Sequence, residues 1–341
     1  MKTAMLSGIF GQDASILAKI LLNKDYKVVG LYRHSTIEPE RRIKEKKLNN
    51  VILECCDITD SGSISNIIKK YQPDEFYSLA AQSDVKVSFD MPELTFRTNV
   101  IGVINILDSI KKHSSHTRIL QSSSSEMYGN NKNEDGLRNE ETKFSSRSPY
   151  ATSKIAAHYS IINYREAYGL YCCSSICFNH TSIYRGLNFV ERKISNYVGW
   201  LYNFIKNHDF EINGYSCIIP EDKKLGLGNL EARRDIGYAG DYVFGMWLML
   251  QGEKPIDLVL STGTTISIKQ ILDKAFKCIE IDDWTPYVKL DQNMIRPSEV
   301  DVLIGDSTKA KNILGWEPTI SFETLISDMV ENDIQRHANK S

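Results

Sequence analysis

No stretch of this 341-residue chain is apolar for long enough to cross a bilayer, which takes about 20 mostly apolar residues as a helix. The first residues enter a strand-like run directly, without the basic start and apolar core of a secretory signal. The seven cysteines, Cys55, Cys56, Cys172, Cys173, Cys177, Cys217 and Cys278, are odd in number and form no Cys-x-x-Cys. That argues against a disulfide framework and a structural zinc site, and no metal is expected. Most lie in apolar runs, where thiols pack as small hydrophobes, so a cytoplasmic protein is expected. The formal net charge is only -2, so no overall field recruits nucleic acid or an acidic membrane. Low-complexity linkers, internal repeats and nucleic-acid-binding motifs are also missing.

What is present is an ordinary globular composition, 42% apolar and 25% charged. The length gives room for a large core and two domains. Strand and helix patterns alternate in the first half. Strands are read at Thr3–Ser7, Lys27–Tyr32, Val51–Cys55, Glu75–Leu79, Arg118–Ser122 and Tyr171–Phe178, with helices at Ser15–Asn23, Ser63–Tyr71 and Thr95–Lys112. Repeated β-α units predict an α/β fold: a Rossmann-type, doubly wound parallel sheet with ligands at the carboxyl ends of its strands. After about residue 180 the pattern loosens, with helical stretches at Ile194–Lys206 and Ile268–Phe276. A smaller C-terminal substrate-binding subdomain is the simplest reading. Residues 1–180 and about 235–262 are assigned to the Rossmann domain, and 181–234 with 263–341 to the subdomain.

Two patterns carry chemistry. Gly8-Ile9-Phe10-Gly11-Gln12-Asp13-Ala14 sits between a strand and a helix. That order suits a dinucleotide: a tight turn, close approach to the pyrophosphate, and a helix N-terminus aimed at its charge. An ordinary strand-to-helix loop is the alternative. The second pattern is Ser123-Ser124-Ser125-Glu126-Met127-Tyr128-Gly129 followed by Ser148-Pro149-Tyr150-Ala151-Thr152-Ser153-Lys154. On a helix, Tyr150 and Lys154 share one face. A neighbouring ammonium favours the phenolate, which makes Tyr150 an acid/base candidate at neutral pH. Ser148 can cap that helix and Pro149 fits its first turn. Tyr-x-x-x-Lys alone is weak; the serine cluster and the glycine turn make the combination strong.

Together these motifs resemble the extended short-chain dehydrogenase/reductase superfamily. Further runs narrow the likeness: Gln72-Pro73-Asp74-Glu75, Leu79-Ala80-Ala81-Gln82-Ser83, Asn163 to Gly169, Phe178-Asn179-His180, Phe189 to Lys193, Arg296 to Asp301, Lys309-Ala310-Lys311 and Leu314 to Pro318. Over nearly the whole chain they resemble the GDP-mannose 4,6-dehydratase family. That resemblance implies a redox-neutral lyase that oxidises a GDP-sugar at C4, eliminates water across C5–C6 and recycles its nicotinamide cofactor. It implies catalytic roles for Ser124, Glu126, Tyr150 and Lys154. It places the cofactor on Gly8, Gly11, Gln12, Asp13, Arg33, Ser35, Asp57, Leu79, Ala80 and Ala81, together with Tyr150 and Lys154. Asp57 reads equally well as a helix cap. The GDP-sugar falls to Ser83, Ser125, Asn179, Arg185, Lys193, Arg234, Arg296 and Glu299.

The second strand ends in Tyr32-Arg33-His34-Ser35, with no acidic residue for a free ribose 2′-hydroxyl. Arg33 and Ser35 suit a 2′-phosphate, so NADP is expected over NAD. The basic run Arg41 to Lys47 reads as a solvated helix face or as a cofactor or subunit contact, and a homodimer or homotetramer is expected. Asp84, Thr181, Tyr184 and Ile236 depart from the family pattern beside an intact catalytic set. If they line the sugar pocket, they suggest a larger sugar, such as a GDP-manno-heptose. A GDP-4-keto-sugar reductase shares most of these residues. A non-catalytic nucleotide-sensing protein fits less well, because such proteins commonly lose the Tyr or the Lys.

Overall fold

Seven parallel strands form the central sheet of the protein, seen in a computed structural model that describes residues 1–35, 39–207, 220–294, 300 and 302–339. Six come from the first half: β1 (Thr3–Ser7), β2 (Lys27–Tyr32), β3 (Ile52–Cys55), β4 (Glu75–Ser78), β5 (Arg118–Ser124) and β6 (Cys172–Cys177). The seventh, Leu258–Leu260, pairs with β6 from the second half. The order across the sheet is Leu258–Leu260, β6, β5, β4, β1, β2, β3. The order reverses between β1 and β4, and such a switch point opens a crevice at the strands' carboxyl ends. β4 and β6 are buried along their whole length, as expected of strands covered on both faces.

Helices cover both faces. On one side, α1 (Gln12–Leu22) and the helix Ala239–Met249 bury Leu17, Leu21, Tyr242, Val243 and Met246. On the other side, Ile64, Ile67 and Ile68 of α3 (Ser61–Tyr71) pack in one core with Val103, Ile106, Leu107 and Ile110. The short α2 (Pro39–Lys46) buries no residue. The expected helix over Thr95–Lys112 is longer and interrupted. It follows α4 (Val85–Asp90), runs as α5 (Pro92–Phe96), passes through a π-turn at Arg97–Ile101 and continues as α6 (Gly102–His113).

α7 (Pro149–Tyr168) forms where its caps dictate. The Ser148 hydroxyl accepts the Ala151 N–H at 3.0 Å, Pro149 occupies the first turn, and Gly169 closes the helix with φ of 66°. The second half builds a separate core. Ile194, Val198 and Leu201 of α8 (Val190–Asn207) pack with the helices Ile268–Lys277 and Phe322–Ala338. Two-stranded pairing of β7 (Asn179–Thr181) with Ile236–Tyr238 links the halves. Among the described residues the six cysteines are free, and burial pushes the Cys172 and Cys177 thiols up to about 12. No described helix is long and apolar enough to cross a membrane.

Candidate active site

The crevice at the switch point is a cleft of about 1670 Å³, lined from both halves of the chain. A single ligand pocket is typically 300–1,000 Å³, so this cleft has room for two nucleotide-sized molecules. The catalytic candidates meet in it. Ser124 and Glu126, at the carboxyl end of β5, line the same wall as Tyr150 and Lys154 of α7.

Tyr150 is 8% exposed. Burial pushes its phenol up to about 12, while a hydrogen bond from Ser124 pulls it down and the Glu126 charge pushes it up. Lys154 Nζ donates to the Ser122 carbonyl at 2.7 Å and lies 5.8 Å from the Tyr150 ring centroid. Burial lowers this ammonium to about 8. The shared helix face is therefore present, but the expected lowering of the phenol by Lys154 is not: desolvation dominates, and the charge that lowers it is that of Arg185. The Ser124 hydroxyl also accepts the Glu126 N–H at 3.2 Å, which holds the carboxylate-bearing turn against the phenol.

The glycine turn fits a dinucleotide. Gly8 adopts φ of 71°, and a Cβ there would stand 3.0 Å from the Ala80 backbone, so a side chain would be strained in both conformation and space. Gly11 is the N-cap of α1 and offers no side-chain cap, which leaves N–H groups for an anion. Arg33, Ser35, Asp57, Leu79, Ala80 and Ala81 line the cleft around this turn. Asp57 accepts the Thr59 N–H and hydroxyl, both at 2.9 Å, while the cap of α3 is Asp60. Gln12 and Asp13 also line the cleft but face the second half. Gln12 Nε2 donates to the His180 carbonyl at 3.2 Å, and Ser182 donates to Gln12 Oε1 at 2.9 Å. Burial opposes ionisation of Asp13, but His180 at 3.0 Å holds its carboxyl down at about 2.

The substrate candidates separate. Ser83, Asn179, Arg185 and Lys193 line the cleft. Arg185 stacks on Phe189, 3.6 Å from its ring centroid. Two others stand outside the lining. Ser125 is 1% exposed, because the turn after β5 rotates it into the core. Arg234 is fixed by strand pairing with Ile266 and Leu303 and donates to the Arg233 carbonyl at 2.9 Å. Arg296 and Glu299 lie outside the described residues. Of the family departures, Asp84 and Tyr184 line the cleft, whereas Thr181 and Ile236 are buried away from it. Enlargement of the sugar pocket therefore cannot rest on Thr181 and Ile236.

Sequence reasoning passed over two positioning residues. Asn99 sits in the π-turn, a form frequent at functional sites. Its amide exchanges hydrogen bonds with the Gln82 backbone at 2.9 and 3.0 Å and donates to Ser153 at 3.0 Å, which ties the cleft wall to α7. An asparagine amid the apolar residues of a helix was the available signal. His180 is the other. Its Nδ1 lies 2.8 Å from the Phe178 carbonyl oxygen and its Nε2 3.0 Å from Asp13, which ties the start of α1 to the second half.

Comparison with known proteins agrees with this geometry. Residues 5–206 and 213–329 match the model of the family described as GDP-mannose 4,6 dehydratase. GDP-mannose 4,6 dehydratase 2 of Arabidopsis thaliana is 41% identical, over 98% of this chain and 87% of its own length. The Homo sapiens GDP-mannose 4,6 dehydratase is 38% identical over 97% and 91%. Two solved structures share the fold: UDP-glucose 4-epimerase of Thermus thermophilus with NAD (TM-score 0.81, 20% identity, 97% and 98% coverage) and dTDP-glucose 4,6-dehydratase of Bacillus anthracis with NAD (TM-score 0.78, 19% identity, 100% and 97% coverage). With the Tyr150–Lys154 helix, the β5 serine turn and the glycine turn converging on one cleft, and with relatives this similar over nearly the full length, the chain belongs to the GDP-mannose 4,6-dehydratase family.

Proposed function

We propose that the protein is an NADP-dependent lyase, a 4,6-dehydratase acting on GDP-mannose or a GDP-manno-heptose, with the cofactor restored in each turnover. The observation that carries this reading is the buried Tyr150 phenol, hydrogen-bonded to Ser124 and beside Glu126, at the wall of a cleft with room for two nucleotides. The glycine turn, Arg33, Ser35, Asp57 and Leu79 to Ala81 would hold the dinucleotide. A bound nicotinamide supplies a reversible hydride acceptor next to Tyr150.

The chain's own groups move the protons. Tyr150 takes the proton of the sugar 4-hydroxyl while Ser124 hydrogen-bonds the 4-oxygen. Lys154, anchored on the Ser122 carbonyl, holds a ribose hydroxyl and sets a positive charge near the phenol. A 4-ketone acidifies the C5–H. Glu126 removes that proton and returns one to the departing 6-hydroxyl, which leaves as water. Arg185 and Lys193 grip the diphosphate from the second half. Arg33 and Ser35, without a carboxylate at the end of β2, favour a 2′-phosphate. The reading carries with it a cytoplasmic homodimer or homotetramer.

The test is incubation of the purified protein with GDP-mannose and with GDP-D-glycero-manno-heptose, without added reductant, followed by mass spectrometry. Loss of one water from either sugar is expected. Unchanged mass for both, with turnover only on adding NADPH and a 4-keto sugar, would instead make the protein a reductase. The ratio of kcat/KM for the two sugars assigns hexose or heptose.

A further inference from the structure

The cleft continues past the strand ends as a side lobe between α2, Tyr184, α8 and the helix Phe322–Ala338. Arg42, Lys46, Tyr184, Arg192, Gln335 and Arg336 line it. Two ammonium groups converge on Tyr184. Lys19 Nζ donates to its hydroxyl at 2.6 Å and lies 4.1 Å from the ring centroid. Lys46 Nζ donates to its carbonyl at 3.1 Å and lies 4.8 Å from the same centroid. The two charges are thus within about 9 Å of each other, about one Debye length in physiological salt.

The carboxylates nearby are already engaged. Asp333 is fully buried and ion-paired with Arg192, accepts from Ser195 at 2.8 Å and faces Arg336 at 3.8 Å. Glu45 pairs with Arg41 at 2.9 Å on the exposed side of α2. Among the described residues no carboxylate stands within ion-pair distance of Lys19 or Lys46, and Glu45, which also lines the cleft, acts on Lys46 only at longer range. Burial, then the Lys19 and Arg192 charges, lower the Lys46 ammonium to about 8, as expected where cations outnumber anions.

We infer that this lobe is a second oxyanion site, which takes a phosphoryl anion of pyrophosphate type between Lys46 and Arg336, with Lys19 adding its charge from behind Tyr184, outside the lining. It is separate from the glycine turn. Lys19 stands eight residues along α1 from its N-cap Gly11, roughly 12 Å at the helical rise, so a pyrophosphate seated on that N-terminus does not reach it. An anion here bridges α2, the Tyr184 segment and the C-terminal helix on the wall of the catalytic cleft.

The experiment is calorimetric titration of inorganic pyrophosphate into the full chain saturated with NADP and GDP, repeated without nucleotides. One pyrophosphate per chain is expected in both cases. Lys46→Met and, separately, Lys19→Met should each weaken it by about tenfold or more, while Lys46→Arg retains it. At pH 8 the wild type should take up protons on binding, seen as a buffer-dependent enthalpy that Lys46→Met abolishes. ADP that displaces the anion from the saturated protein would show that a nucleotide's diphosphate occupies the same cations; ADP that does not leaves the free anion as the ligand. Loss of pyrophosphate binding once NADP and GDP are present would overturn the proposal, because the cations would then serve the cofactor or substrate. Unchanged affinity in both methionine variants would overturn it as well.

Discussion

Replacing Tyr150 with phenylalanine removes one oxygen from a ring that is 8% exposed and held on α7 between the sheet and the cleft. The ring still fills its site, so the packing cost is small. What goes is the hydrogen bond with Ser124. A neutral hydrogen bond contributes about 1 kcal/mol net, which is a shift of only a few degrees in Tm for a domain this large. The chemical cost is larger. Loss of a positioned acid/base typically slows turnover by about 10²–10⁴-fold, or roughly 2.7–5.5 kcal/mol of barrier. Nothing in the proposed grip on the diphosphate uses the phenol, so the Kd for the GDP-sugar should move by less than about threefold. The assay pairs kcat from product mass spectrometry with Kd from calorimetry and Tm from a thermal scan. A variant with kcat within tenfold of wild type would refute the assignment of Tyr150 as the proton acceptor. A variant with collapsed Tm would show that the ring oxygen is structural.

Three further outcomes are expected. Glu126→Gln should leave C4 oxidation intact but slow water loss by about 10²–10⁴-fold, so the bound cofactor accumulates in its reduced form on adding substrate; rapid-quench mass spectrometry showing dehydrated product at the wild-type rate removes Glu126 from the elimination. Arg33→Ala should weaken NADP far more than NAD, and equal losses by fluorescence titration would show that Arg33 does not read a 2′-phosphate; light scattering on the same samples tests the oligomer. Asp13 is held at about 2 in the folded chain against 3.8 in the unfolded one. As pH falls through that window the unfolded chain takes the proton first, so stability present above pH 4 is lost toward pH 2, by about 2 kcal/mol. Urea melts at pH 4 and pH 2.5 should show a smaller acid loss for Asp13→Asn than for wild type, and identical losses would contradict the His180 pairing.

Much was legible locally. The Tyr150–Lys154 helix is announced by Ser148, Pro149 and a four-residue spacing, all within about two turns. The glycine turn is announced by its strand and helix. The β-α alternation reads from side-chain periodicity, which reports burial on one face. Caps were less legible: α1 starts at Gln12 because Gly11 itself serves as N-cap, not where the apolar pattern begins. The π-turn at Arg97–Ile101 was not legible at all, because the apolar positions Val103, Ile106, Leu107 and Ile110 all follow it, so the phase shift of one extra residue leaves no mark in the pattern.

The sequence by itself determined the parallel sheet, the glycine turn and the candidate side chains that meet in the cleft, since each depends on residues a few positions apart. Only the tertiary structure decided how those side chains are charged and which polar residues face the cleft. Tyr150 lies high and Lys154 low because burial acts on both, and burial comes from strands far away in sequence. Arg234 and Ser125 turn from the cleft because strand pairing and the post-β5 turn direct them elsewhere. Asp13 is bound to His180, and Lys46 to Tyr184, across separations of 167 and 138 residues. Such contacts exist only once the second half folds back over the first, and no periodicity in the chain encodes them.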